Sequence, residues 1–306
     1  MSKRAYVELA DGAQTHYRCR GGGLPLILLH ASPLSSAWME PTMAALPEGI
    51  YAVAPDTPGY GASDPLTEPG EDLSGYAAWL RQFIAALGFE RVGVYGSSTG
   101  AQIAIEFARA WPEAARFLVL DNAAHFTDAE REYILARYFP DLSPREDGAH
   151  LRKAWEMVNA TWQWFPWFEQ DEEHRFAQAD AVPLETRQAM LVDQLRAGPD
   201  YARAYRGAFL NEDANRLFGV SAPTRIIRWR GGMLRKYADR LDDMGLPANI
   251  GMVHCGPTME QRLAAIGDAV AELVASTRRP PAGGGGGGAP DKESGGGGGG
   301  GQKKTP

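Results

Sequence analysis

Short apolar runs that alternate with segments of helical periodicity are the feature that most narrows what this chain can fold into. Residues 24–30 (LPLILLH), 50–56 (IYAVAPD), 92–95 (VGVY) and 117–121 (FLVLD) are brief, rich in branched side chains, and bounded by glycine, proline or aspartate. Runs of that kind are strands covered on both faces, which is the environment of a parallel sheet. Between them, residues 36–46, 72–87 and 99–111 carry apolar residues at helical spacing. A second series follows late in the chain: a strand at 224–229, a helix at 235–244, a strand at 249–254 and a final helix at 260–276. The alternation predicts an α/β fold with a doubly wound, mostly parallel sheet. Residues 6–9 and 15–19, joined around Asp11-Gly12, predict an antiparallel hairpin on its edge.

The alternation stops between about 125 and 218. That stretch shows no strand pattern, and it places Trp155, Trp162, Trp164, Phe165, Trp167 and Phe168 within 14 residues. It reads as a helical insertion over the sheet. From Arg278 onward two glycine runs hold 13 of the chain's 36 glycines and nothing that could bury, so a disordered tail is expected. The expected organisation is core 1–124, helical cap 125–218, core 219–277 and tail 278–306.

A net charge of −7 and a pI near 5.5 argue against nucleic acid or an anionic membrane as partner, since both need a basic surface. Two cysteines, Cys19 and Cys255, imply no disulfide framework and no thiolate metal cage. The first residues lack the apolar run of a signal peptide, and the longest apolar stretch, 24–29, is too short for a bilayer, so a cytoplasmic location is expected. Neither the H-E-x-x-H spacing of a zinc site nor the glycine spacing of a dinucleotide site occurs, and no cofactor is expected.

The chemistry-bearing signal is Gly96-Ser97-Ser98-Thr99-Gly100, directly after the 92–95 run and directly before a helix. It is a G-x-S-x-G turn in the strand–turn–helix context that lifts a serine hydroxyl to the top of a sheet. Two further segments end apolar strands: His30-Ala31-Ser32-Pro33, and Asp56-Thr57-Pro58-Gly59-Tyr60-Gly61-Ala62-Ser63-Asp64. With these three motifs in this order the chain resembles the α/β-hydrolase superfamily over residues 5–277, and the insertion corresponds to that family's cap. The resemblance implies Ser98 as nucleophile, with the backbone N–H groups of Thr99 and Ser32 as oxyanion donors. It implies a loop-supporting role for His30. Ala31 stands where the family has glycine.

The chain departs from the family at the acid and at the base. The position after the 224–229 strand, where an acid is usual, holds Gly231-Gly232. Asp121, ending the strand before the cap, is the alternative acid position. The family's histidine follows the last strand, where this chain reads His254-Cys255-Gly256-Pro257-Thr258-Met259 and puts Pro257 or Met259 at the base position. His254 is a candidate base, with His125 and His150 in the cap as alternatives. The same G-P-T turn is similar to that of the superfamily's cofactor-free dioxygenases, with Met259 at their histidine position. Trp162, Trp164, Trp167 and Phe168 are expected to line an apolar substrate pocket above Ser98. One of Arg225, Arg228 and Arg230 is a candidate partner for a substrate carboxylate or for Asp121.

A serine hydroxyl is a weak nucleophile until a neighbour takes its proton. The leading expectation is a serine-dependent hydrolase of esters or carbon–carbon bonds in a small hydrophobic carbonyl substrate, with a non-standard triad. The alternatives are a lyase, cyclase or cofactor-free oxygenase on the same scaffold, and a ligand-binding relative without turnover.

Overall fold

The computed structural model describes residues 2–68, 70–176 and 182–278. Its core is one eight-stranded sheet: β1 (Lys3–Glu8), β2 (Gln14–Gly21), β3 (Leu24–Leu29), β4 (Ile50–Pro55), β5 (Val92–Ser97), β6 (Ala115–Asp121), β7 (Thr224–Trp229) and β8 (Ile250–Cys255). The spatial order is β1-β2-β4-β3-β5-β6-β7-β8. The β1–β2 hairpin and the β2–β4 pair are antiparallel, and every later pair is parallel. The antiparallel part is the expected edge hairpin, turned through Gly12 at φ 85°.

Strand alternation divides the core into two apolar layers. Ile27, Leu29, Val92, Val94, Leu118 and Leu120 face α2 (Ser74–Ala86) and α3 (Thr99–Ala110). Leu26, Leu28, Tyr95, Phe117 and Val119 face the other way, against α1 (Glu40–Ala45) and α9 (Met259–Arg278). Leu26 to Leu29 are all at 0% exposure, and each such side chain contributes roughly 1.5–3 kcal/mol. Burial on both faces explains why these strands read as unbroken apolar runs.

Two expected helices are each split. Residues 36–46 form a 3₁₀ turn, Ser36–Met39, followed by α1, with Pro41 in the first turn where its missing N–H costs nothing. Residues 235–244 form α8 (Arg235–Ala238) and a 3₁₀ turn, Asp239–Asp243.

After β6 the chain enters α4 (Asp128–Leu135), α5 (Ala149–Thr161), α6 (Leu184–Ala197) and α7 (Arg203–Asn211), then returns to β7. Thr127 starts this helical layer with a reciprocal capping box to Glu130. The layer has its own aromatic core, including Phe126, Tyr138, Phe165, Trp167, Tyr201 and Phe209, to which Tyr237 of α8 adds. No helix of the described residues is long and apolar enough to cross a membrane. The glycine-rich tail lies outside the described residues.

Candidate active site

Ser98 stands between β5 and α3 at φ 48° and ψ −110°, a conformation that L-residues rarely adopt. Its N–H donates to the carbonyl of Asp121 at 2.8 Å. The flanking glycines are required by space. A Cβ on Gly96 would lie 2.2 Å from the Gly100 carbonyl oxygen, and one on Gly100 would lie 2.3 Å from that of Leu29. The turn therefore holds a half-buried serine at the N-terminus of α3, where the helix dipole favours negative charge. Among the described residues no hydrogen bond engages the Ser98 hydroxyl.

The loop at 30–33 crosses the start of α3, with the Ser32 N–H 3.3 Å from Thr99 Oγ1. The two residues expected to supply oxyanion donors thus meet across two separate segments, the loop after β3 and the start of α3. His30 braces this loop. Its Nε2 accepts the Thr57 N–H at 2.9 Å and its Nδ1–H donates to the Ala31 carbonyl at 2.9 Å. Burial holds its pKa below the ordinary histidine range, so it stays neutral. Asp56 accepts from the N–H groups of Ser36 (2.6 Å) and Ala62 (2.8 Å) and pairs with His16 Nδ1 (2.8 Å). A Cβ on Gly61, at φ 57°, would lie 2.2 Å from Asp56 Oδ2. The two turn motifs are halves of one frame.

At the end of β6, Asp121 is fully buried. Its Oδ2 accepts from the Tyr95 hydroxyl at 2.8 Å and from Arg262 Nε at 2.8 Å, with Arg262 Nη2 at 2.6 Å. Arg262, on the first turn of α9, also reaches Ser97 Oγ at 3.5 Å and stacks over the Trp229 indole at 4.7 Å. Burial would lower the guanidinium pKa, but Asp121 and Tyr95 outweigh it and keep it above its ordinary value. Burial, then Asp121, raises Tyr95. Arg262 was not among the residues expected from sequence to meet Asp121. Of those that were, Arg225 pairs with Glu272, Arg228 is held by Asp239, Asp242 and the Ala238 carbonyl, and Arg230 is exposed.

The acid position of the late strand is filled by packing. A Cβ on Gly231 would lie 2.4 Å from the Pro257 carbonyl oxygen and 2.7 Å from the Trp229 ring. Trp229 Nε1 donates to the same carbonyl at 3.0 Å. Met259 is about half exposed, and its sulfur lies 3.8 Å from Arg262 Nη1.

The candidate bases have other hydrogen-bond and ion-pair partners. His254 is 62% exposed, with Nε2 4.0 Å from Asp242, and lines a polar cavity of about 130 Å³ with Asn122, Arg228, Arg230 and Arg235. His125 Nδ1 accepts the Ala214 N–H at 3.1 Å and lies 3.6 Å from Asp213, because it pins the cap's return to the core. His150 Nδ1 accepts the Arg145 N–H at 3.0 Å in the turn ahead of α5. His174 pairs with Asp171 at 2.7 Å in a cluster with Glu169, in which Asp171 is exposed and the other two are half-buried, and the three ligand atoms lie within 4.8 Å of one another. None of the hydrogen bonds made by the six histidines reaches Ser98. Cys255, its pKa raised by burial and then by Asp121, is held as a neutral thiol.

Glu212 was missed at the sequence level, in a polar Asn-Glu-Asp stretch with no periodicity to single it out. It is 3% exposed, and its Oε2 accepts from Gln102 Nε2 at 2.6 Å and the Ala124 N–H at 2.7 Å. Gln102 lies one turn along α3 from Ser98, its N–H donating to the Ser98 carbonyl at 3.1 Å. Burial raises the Glu212 pKa well above the carboxylate range.

Of the four aromatic residues expected to line the pocket, Trp162 lies at the core–cap boundary, stacked on Trp38 at 6.2 Å. Trp167 is spent on the cap itself, donating from Nε1 to the Tyr138 carbonyl at 2.8 Å, with Phe168 against Tyr138 and Trp164 against the same cluster. A cap without its own aromatic core would not hold together, and that need absorbs these side chains.

A sequence profile of the alpha/beta hydrolase fold matches residues 25–227. A soluble epoxide hydrolase of Corynebacterium sp. (strain C12) is 37% identical over 101 residues, covering 33% of this chain and 35% of that protein. A 2-hydroxy-6-oxononadienedioate/2-hydroxy-6-oxononatrienedioate hydrolase of Pseudomonas putida is 36% identical over 130 residues, covering 39% of this chain and 44% of that protein. The chain thus spans less than half the length of these relatives. Among solved structures, a bromoperoxidase of Bacillus anthracis superposes with a TM-score of 0.69 at 18% identity, covering 89% of this chain and 100% of that one. A meta-cleavage product hydrolase of Pseudomonas fluorescens IP01 gives 0.64 at 18% identity, covering 90% and 98%.

Proposed function

The chain belongs to the α/β-hydrolase family, and on that premise we propose that it binds a small, largely apolar carbonyl compound at Ser98 and acts on it without a histidine-activated serine. In this reading the carbonyl oxygen accepts from the Thr99 N–H and replaces Thr99 Oγ1 as acceptor of the Ser32 N–H, with the Ser98 hydroxyl as a third donor. Fixed donors of this kind stabilise an oxyanion whether it belongs to a tetrahedral intermediate or to an enolate. The observation that carries the reading is the pairing of Asp121 with Arg262. The carboxylate that could orient a catalytic histidine is instead bound to a cation that cannot take up a proton.

The reaction class in this reading is one that polarises a carbonyl and passes through an enolate, of lyase or isomerase type, with solvent water taking the α-proton and returning one to the enolate carbon. Glu212, kept protonated by burial, holds the side chain of Gln102, which lies one helical turn from Ser98, and so braces the elbow. A second reading, serine-dependent hydrolysis of an ester or carbon–carbon bond, draws support from the hydrolases among the relatives.

Two measurements separate them. A fluorophosphonate probe should leave Ser98 unlabelled, and 4-nitrophenyl butyrate should turn over no faster with the native protein than with Ser98→Ala. Phenylacetone in deuterium oxide should exchange its α-protons faster with protein than in buffer, with the gain lost in Ser98→Ala. Stoichiometric labelling that disappears in Ser98→Ala would establish the hydrolytic reading instead.

A further inference from the structure

The boundary between the loop at 30–36 and the cap holds a set of polar groups that the reading above does not use. Asp193 of α6 is buried and accepts from Ser35 Oγ at 2.8 Å and from Trp38 Nε1 at 2.9 Å. Its charge is close enough to His30 to favour the protonated imidazole. Trp162 stacks on Trp38, yet its own Nε1 is buried without a hydrogen-bond partner. Gln194, beside Asp193 on the buried face of α6, is 1% exposed. Its Nε2 donates to the Met157 sulfur at 3.3 Å, while its Oε1 is buried and unpartnered. A thioether only accepts, so this contact fixes the amide with its oxygen directed away from Met157.

A chain of contacts ties these groups to the oxyanion loop. Tyr60 packs on His30 at 6.2 Å and donates from its hydroxyl to the Tyr201 carbonyl at 2.8 Å. The Tyr201 hydroxyl lies 3.9 Å from the sulfur of Met157, on which Gln194 rests. Buried polar atoms in folded proteins nearly always find a partner, and an orphaned donor and acceptor at one domain boundary call for one.

We propose that this boundary is a ligand subsite, in which Trp162 Nε1–H donates to, and Gln194 Oε1 accepts from, an uncharged hydroxyl or enol on the far side of the bound carbonyl compound. Asp193 sets the charge rule. A carboxylate there would face an anion whose donors are already engaged, so the subsite takes a neutral donor–acceptor group and refuses an acid. The inference rests on the carbonyl-binding reading and deepens it by naming the substrate as a hydroxylated, non-acidic carbonyl compound.

Binding of three aldehydes tests it: benzaldehyde, 4-hydroxybenzaldehyde and 4-formylbenzoate, measured by titration calorimetry on the full chain at pH 6, where the phenol is uncharged and the benzoate is ionised. All carry the carbonyl and differ only at the far end. The hydroxyl should improve binding about tenfold over benzaldehyde, the worth of one or two well-made buried hydrogen bonds. Trp162→Phe, which keeps the stack on Trp38, and Gln194→Leu should each erase most of the difference in affinity between 4-hydroxybenzaldehyde and benzaldehyde. 4-Formylbenzoate should bind more weakly than benzaldehyde, and Asp193→Asn should recover it. Equal binding of benzaldehyde and 4-hydroxybenzaldehyde to the native protein would overturn the subsite while leaving the carbonyl site standing. Failure of benzaldehyde itself to bind would instead overturn the carbonyl-binding reading, and the subsite with it.

Discussion

Arg262 places both Nε and Nη2 on a single oxygen of Asp121, at 2.8 and 2.6 Å, and the other oxygen, Oδ1, is buried without a partner. Removing one member of such a pair strands the other charge. Arg262→Met should cost about 3–5 kcal/mol of folding stability, as breaking buried pairs does elsewhere. The double variant Asp121→Asn/Arg262→Met should recover a large part of that loss. Urea unfolding of the three proteins decides it, and a single variant within about 1 kcal/mol of native would show that the pair carries little weight.

Glu212 makes stability depend on pH in the direction opposite to a salt-bridged carboxylate. Its folded pKa is raised by burial, so over the window between its unfolded value and its folded one the native state holds the extra proton. Stability from this group is complete below the unfolded value of about 4.3 and falls as pH rises, by up to about 1.4 kcal/mol per unit, until the folded pKa is passed. Glu212→Gln can keep its oxygen under Gln102 Nε2 and the Ala124 N–H, and should flatten that slope. Urea midpoints from pH 5 to 9 give the comparison, and parallel slopes for the two proteins would contradict the assignment.

Ser98 holds a positive φ of 48° that only glycine adopts freely. Strain of this kind is of order 1–3 kcal/mol, part of which glycine gives back through its greater unfolded-state freedom. Ser98→Gly should therefore be more stable than native by about 1 kcal/mol, or about 2 °C in Tm for a chain of this size. Ser98→Ala keeps the strain and should melt close to native. Calorimetry of both variants separates backbone strain from the loss of the hydroxyl.

Installing an acid at the usual late-strand position should fail for lack of room. Gly231→Asp drives a Cβ into the Pro257 carbonyl and the Trp229 ring. Overpacking costs about 1–3 kcal/mol, so Tm should fall by several degrees, and hydrolysis of 4-nitrophenyl butyrate should not rise. A folded Gly231→Asp protein with native Tm would mean that the turn can open.

What could be read from sequence followed physical locality. The parallel strands announce themselves because both faces are buried, and the elbow because Gly96 and Gly100 have neighbours within Cβ distance. Arg262 and Glu212 gave no such signal. Each acquires its role from partners far along the chain: Asp121 lies 141 residues from Arg262, and Gln102 lies 110 from Glu212. On a helix or in a polar loop, a residue of either type looks like any solvated charge. The cap aromatics were visible as a cluster, but composition could not say that Trp167 and Phe168 would serve the cap's interior while Trp162 met the core.

The Asp121–Arg262 pair also bears on what this scaffold can become. A histidine at position 259 would find its acid already taken, and loss of Arg262 alone would leave a buried anion before any histidine arrived. Either first step is without benefit or harmful, and only the two together could assemble a relay to Ser98. In the language of fitness landscapes the site sits in a basin whose exit toward serine hydrolysis needs a coupled double change. Directed evolution by single substitutions should consequently move along the cap boundary, at Trp162, Asp193 and Gln194, before it moves at the ion pair.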